Sequence, residues 1–300
     1  YATCEIGGGL MDTYHRRYIM RGMDIYAMTL IMFCEGANLL GYYMYHGGIN
    51  KVTENHTLQE SKATGYPNDY PIISYDFQAP ISSYNETRES YDLLNLLHMF
   101  IKEYEDKLVD MTYVAGQAPV LADDFKSLRY GMRTDGKSGF VFINHYQRLH
   151  KLEPVKDVVI DTGNVQFPAI DVAGEISFFL PFNMDMGDGL ILKYATAQPI
   201  CKSGSNWLFL EIPGIKPQFE FADEGRTASI IVLNLEEARH LRKVDGKTYF
   251  TDRLGKTVDD LMAAEDDGYS LKGLDATPVE IPEMFAAELG YGNKPIRWYQ

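Results

Sequence analysis

The chain has 300 residues, 45% of them hydrophobic, and 28 Lys and Arg against 42 Asp and Glu give it a formal charge of −14. That balance argues against nucleic acid as a partner, because phosphates must be neutralised by Lys and Arg. The longest apolar run, Ile25 to Phe33, is broken by Thr29 and falls far short of the roughly 20 residues needed to span a bilayer.

Three widely separated cysteines, Cys4, Cys34 and Cys201, fit neither a disulfide framework nor a zinc-ligand spacing and read as structural thiols. The sequence opens on Tyr with no charged-then-apolar leader, so its true amino terminus and any signal peptide are expected to lie outside it.

Two stretches, Tyr1-Ala-Thr-Cys-Glu-Ile-Gly-Gly-Gly and Leu39-Leu-Gly-Tyr-Tyr-Met-Tyr-His-Gly-Gly-Ile-Asn50, are apolar or aromatic runs ending in glycine-rich turns. Between them, Met11 to Arg17 reads as a polar and aromatic loop that is expected to be solvated, with His15 and Arg16 as the candidate ligand contacts in it. Then Ile25, Met28, Ile31 and Met32 recur at helical spacing, with Asp24 expected as N-cap and Gly36 as the stop. Strand, helix, strand predicts a parallel unit whose chemistry sits at the carboxyl ends of the strands. Alternation along a strand would turn Thr3 and Glu5 to one side, and Tyr43 and Tyr45 to one side opposite Tyr42 and Met44, so that a carboxylate and two phenols converge.

A long loop from Lys51 to Pro71 follows, of a length usually functional or mobile, and then Ser74-Tyr-Asp-Phe-Gln-Ala-Pro80. Leu93, Leu94, Leu97, Phe100, Ile101 and Tyr104 predict a helix within Glu86 to Leu108. From Asp110 to Ser138, Gly116, Pro119, Gly131 and Gly136 break the pattern, which sets residues 1–110, a linker 111–138 and an all-β region 139–300. Predicted strands there are 139–144, 158–161, 175–180, 190–194, 207–212 and 229–233, with a short helix at 235–241, as in a β-sandwich or jelly-roll-like region.

Gly36-Ala-Asn-Leu-Leu-Gly-Tyr-Tyr-Met-Tyr-His-Gly-Gly-Ile-Asn50, with Ser74-Tyr-Asp-Phe-Gln-Ala-Pro-Ile81, resembles the last part of the catalytic barrel of glycoside hydrolase family 35, the retaining β-galactosidases. Gly139-Phe-Val-Phe-Ile-Asn-His-Tyr-Gln-Arg148 and Leu192 to Cys201 are similar, less diagnostically, to that family's β-domain. The resemblance implies the last two βα units of a (β/α)8 TIM barrel followed by all-β structure. Such a barrel takes about 250 residues, so roughly three quarters of it would lie before Tyr1.

Retention requires one carboxylate to attack the anomeric carbon and a second carboxyl group, about 5–5.5 Å away, to protonate the leaving oxygen. The resemblance makes Glu5 the nucleophile, kept ionised with help from a neighbour such as Tyr43, and gives Tyr43, Tyr45 and Tyr75 to the galactose site. Phe77 and Gln78 stand where many relatives have Tyr and Asp, and Ile49 replaces a common Thr. The family's acid/base Glu would precede Tyr1, so the chain alone is expected to be nearly inactive. Asp76 and Glu35 are the available carboxylates, but the first is expected to organise its loop and the second to cap or pair at the helix end.

The implied partners are a β-galactoside oligosaccharide or glycan and the amino-terminal part of the barrel, with no cofactor, metal, nucleic acid or membrane. Asn183 to Gly189 lacks the carboxylate spacing of a calcium loop, His145 and His150 lie five apart, off the spacing that puts two ligands on one helical face, and Gly7-Gly-Gly9 lacks the Lys that follows a phosphate loop. Asp266-Asp-Gly268 reads as a solvated turn. Two other readings stand beside the enzyme: a non-catalytic carbohydrate-binding or scaffold protein, and a related exo-glycosidase with a different sugar preference.

Overall fold

A computed structural model describes residues 1–252 and 256–258; the turn expected at Asp266-Asp-Gly268 lies outside them. In chain order, β1 (Ala2–Gly7) leads through helix α1 (Gly22–Cys34) to β2 (Leu39–Tyr43). Two short strands, β3 (Gly48–Ile49) and β4 (Ser74–Tyr75), close the long loop, and helix α2 (Glu89–Leu108) follows. Then come β5 (Thr112–Ala115), β6 (Tyr130–Thr134), β7 (Gly139–His145), β8 (Val155–Val158), β9 (Ile170–Val172), β10 (Ile176–Asp185), β11 (Ile191–Ala195), β12 (Gln198–Ser203), β13 (Asn206–Leu210), β14 (Phe219–Phe221) and β15 (Ser229–Leu233). A one-turn helix α3 (Leu235–Ala238) and the hairpin of β16 (Leu241–Val244) and β17 (Lys247–Phe250) complete the described residues.

The result is a sheet-rich α/β unit joined to β structure. β1 and β2 pair in parallel with α1 as the crossover, as the strand, helix, strand pattern predicts. The largest sheet has six antiparallel strands in the order β14-β11-β10-β7-β6-β5. Strands β12, β13 and β15 form a second sheet, with β13 and β15 parallel.

The segment 111–138, expected as a linker, contributes β5 and β6 to the large sheet. Gly116, Pro119 and Gly136 fall in the connections around those strands, whereas Gly131 lies inside β6. Strands β5, β6, β9, β12, β14, β16 and β17 were not among the predicted ones. β8 sits at 155–158 where 158–161 was expected, and α3 is shorter than 235–241.

β7 is buried almost throughout because the large sheet is covered on both faces. Phe140, Phe142 and Phe179 face α1 and α2 and join a core with Phe33, Leu93, Leu97, Phe100 and Tyr104. Val141, Ile143, Phe178, Leu180 and Phe182 enter the opposite core with Ile160, Phe167 and Val172. Along β10 the alternation reverses after Phe182, since Met184 returns to the helix-side core, and Asn183 between them has φ 47°.

Phe100 is the centre of the helix side, with its ring 4.5 Å from Phe179, 4.9 Å from Phe140 and 5.4 Å from Tyr104.

Arg133 on β6 is 1% exposed and has no acidic partner among the described residues. Its guanidinium donates to the carbonyls of Phe33 (2.9 Å) and Ala37 (3.1 Å) at the end of α1, to Leu108 O (2.7 Å) at the end of α2, and to Asn38 Oδ1, and it lies 4.7 Å over the Phe33 ring. Helix C-termini leave carbonyls without intrahelical donors and carry partial negative charge. One buried cation therefore caps both helices, and burial pulls its pKa down.

Candidate functional site

The site is built at the carboxyl ends of β1 and β2. Register passes from Thr3↔Leu40 to Ile6↔Tyr42, so two residues, Cys4 and Glu5, oppose the single Gly41. This bulge replaces the strict alternation expected of Thr3, Cys4 and Glu5, and both Cys4 and Glu5 are exposed. Gly41 permits it, since a Cβ there would lie 2.9 Å from Cys4 Cα. Glu5 makes no hydrogen bond or ion pair with any described residue.

Tyr43 ends β2, 40% exposed, and its hydroxyl meets that of Tyr75 on β4 at 2.8 Å. Tyr43 thus spends its phenol on Tyr75 rather than on Glu5. Phe77 lies under both rings, edge-on to Tyr43 at 5.6 Å and 4.8 Å from Tyr75. The hydrogen bond from Tyr43, with some burial, raises the Tyr75 pKa, so Tyr75 stays protonated at neutral pH. Three aromatic rings and two hydroxyls therefore share one accessible platform.

Tyr45 does not join it. Strand β2 ends at Tyr43, so the alternation that was to align Tyr43 with Tyr45 does not continue. Tyr45 packs against Tyr42 (5.4 Å), Tyr91 (6.3 Å) and His98 (6.3 Å), and burial pushes its phenol up to about 12. Tyr42 completes this second cluster with a 2.8 Å hydrogen bond to His98 Nε2, and burial lowers the His98 pKa to about 4.

Two residues invisible as site builders in the sequence hold the platform. Phe77 and Gln78 both have positive φ, 57° and 52°, which turns the chain back against the β1 loop. Gly9 accepts that approach, because a Cβ there would lie 2.0 Å from Phe77 O. Gln78 then staples the loop: its Oε1 accepts from Met20 N at 3.1 Å, and its Nε2 donates to Tyr18 O at 3.1 Å and Leu10 O at 3.4 Å. A long amide reaches both groups, as a shorter Asp at this position would not.

Asp76 organises its loop as expected, accepting from Ser83 N (2.7 Å), Gln78 N (3.2 Å) and Arg88 (2.7 Å). Glu35 is the C-cap residue of α1 and makes no ion pair.

Asp24, expected as N-cap, sits at the third helical position and reaches back to Arg21 N at 2.9 Å. Its side chain is 3% exposed and also takes the Tyr146 hydroxyl (2.5 Å) and Arg148 Nε (3.4 Å) from just beyond β7. His15 bonds to Asp69 at 3.3 Å, tying the first loop to the long one. His145 bonds to Glu153 O at 2.7 Å and His150 stacks on Phe125, so neither reads as a ligand.

Among the described residues no three His, Cys, Asp or Glu side chains converge as a metal site, and no helix is long and apolar enough to cross a membrane. The platform offers apolar ring faces with two hydroxyls at the edge, at the end of the strand paired in parallel with the one that carries Glu5. No protein-family model matches the chain.

Proposed function

We propose that the chain is the carboxyl-terminal part of a retaining β-galactosidase resembling glycoside hydrolase family 35, with β1, α1, β2 and α2 as the last two βα units of a TIM barrel. The observation that carries this reading is the placement of an unpartnered carboxylate, Glu5, on a strand paired in parallel with the one that ends in the Tyr43, Tyr75 and Phe77 platform. Glu5 attacks the anomeric carbon to give a galactosyl ester while the aglycone oxygen leaves with a proton. Water then hydrolyses the ester with inversion at the same carbon, and the two inversions give net retention.

Tyr43 and Tyr75 donate to and accept from ring hydroxyls, and Phe77 stacks beneath. Tyr45 acts from behind, holding the end of β2 through Tyr42 and His98. The acid/base belongs to the amino-terminal part of the barrel, so this chain alone turns over little or no substrate.

The test uses the polypeptide that carries both carboxyl groups. Glu5→Gly should abolish hydrolysis of an aryl β-galactoside, and added azide should restore turnover as α-galactosyl azide, because an external nucleophile then replaces Glu5 on the face it occupied. Undiminished hydrolysis by the variant would end the assignment. Sugar binding that survives without any turnover in the intact polypeptide would favour the non-catalytic carbohydrate-binding reading.

A further inference from the structure

The loop from Met11 to Arg21 carries three arginines and His15 against one acid, Asp12, in a chain whose net charge is −14. Asp12 is occupied: its Oδ1 accepts from Tyr18 N at 2.9 Å and from Gln78 Nε2 at 3.5 Å. Asp69 is taken up by His15 at 3.3 Å and by Lys62 N at 2.9 Å, and Asp24 by Arg148 and Tyr146. Arg21 has only a 3.8 Å contact with Glu175 between two exposed side chains. Among the described residues the Arg16 side chain touches only the face of Tyr18, at 5.9 Å, and the Arg17 side chain has no partner. Both are exposed.

These cations are held out on a fixed frame. Thr13 N donates to Arg16 O and Arg16 N to Thr13 Oγ1, each at 2.9 Å, and Tyr14 N donates to Asp69 O at 3.0 Å. The Gln78 amide, one residue from Phe77, bonds to Tyr18 O and Met20 N, which places the rim one side chain away from the aromatic platform. Exposed guanidiniums without an acidic partner are available to a bound anion, and a fixed loop loses little freedom on binding one.

We infer that this loop is an anion-recognising rim, so that the ligand of the platform is an acidic glycan carrying a carboxylate or sulfate on the sugar next to the galactosyl residue. This rests on the platform being a galactoside site. The neutral sugar occupies the rings, and the acidic neighbour meets Arg16 and Arg17.

The experiment is ligand-observed NMR titration of the polypeptide that carries both carboxyl groups, made inert by Glu5→Gln, with three disaccharides: β-galactosyl-glucose, β-galactosyl-glucuronate and a β-galactosyl-glucose bearing sulfate on the glucose. At low salt at least one acidic ligand should bind about fivefold more tightly than the neutral one, as two exposed charge contacts allow. The preference should vanish in about 0.5 M NaCl, where charges are screened within a few ångströms. It should also vanish in the Arg16→Gln, Arg17→Gln double variant, whose affinity for β-galactosyl-glucose stays unchanged. Which acidic ligand gains separates carboxylate from sulfate.

Equal affinity for neutral and acidic ligands would overturn the rim while leaving the galactoside site intact, as would a preference that survives the double variant. Failure of all three to bind would remove the galactoside reading itself and this inference with it.

Discussion

His98 gives the sharpest handle on how the platform is supported. It lies on α2, bonded to Tyr42 of β2 and packed beside Tyr45, and burial lowers its pKa from 6.5 to about 4. A histidine depressed in the folded state binds its proton more readily when the chain unfolds. Its contribution to stability is therefore fully present above pH 6.5 and is lost as pH falls from 6.5 towards 4. A shift of about 2.5 units corresponds to at most about 3 kcal/mol.

The perturbation is His98→Gln, which fills similar space, offers an amide to Tyr42 and does not titrate. Urea unfolding of both proteins, followed by tyrosine and tryptophan fluorescence between about pH 7.5 and 4, isolates the group from all other titrations. The wild-type stability minus that of the variant should fall by about 2–3 kcal/mol across this range, most steeply between pH 6.5 and 4.5. Parallel curves would refute the reasoning, because they would show His98 to be as protonated in the folded state as in the unfolded one.

Arg133→Met should destabilise the protein by about 3 kcal/mol or more in denaturant melts, because it leaves buried carbonyls of Phe33, Ala37 and Leu108 without a donor. Phe100→Ala should cost about 3–5 kcal/mol by the same measurement, through the cavity left among Phe33, Phe140 and Phe179. Burial pushes Cys34 to about 12 and Cys201 to about 11, whereas Cys4 is exposed. A thiol reagent at neutral pH should therefore label Cys4 alone in the folded protein, and mass mapping of all three labelled would contradict the packing. Gln78→Ala should speed hydrogen exchange at the Met20 amide by removing its acceptor, while moving global stability by less than about 1 kcal/mol.

What the sequence made legible was local. The spacing of Ile25, Met28, Ile31 and Met32 marks α1, but the face it buries is that of Tyr26, Leu30 and Phe33, with Ile31 exposed and Met28 and Met32 half-buried, whereas the apolar runs at 139–144 and 229–233 yield β7 and β15 nearly residue for residue. The pairing of β1 with β2 follows from the strand, helix, strand order. The site was legible in membership and not in arrangement: Tyr43 and Tyr75 do meet, but Tyr45 is turned into the His98 cluster, and no periodicity announces where a strand stops alternating. Positive φ at Phe77 and Gln78 carried no glycine to signal it. Gly131, inside β6, and Gly136, in the turn after it, looked like boundary markers because β5 and β6 are short and find their partners only in the assembled sheet.

The same long-range terms decide how the two halves of the chain relate. Asp24 at the start of α1 is ion-paired with Arg148 and accepts the Tyr146 hydroxyl, both from the β region, and the end of α1 is capped by Arg133 from the same region. Both are buried polar contacts whose loss would strand a charge or carbonyls away from water. A chain ending near residue 110 would therefore lose both anchors of α1 and expose Phe33 and Phe100 together. Because β1 and β2 are the strands that α1 connects, and the arginine rim is the loop that leads into it, platform and rim hold their relative positions only while the large sheet is present. On this reasoning the sheet-rich half is a structural component of the site.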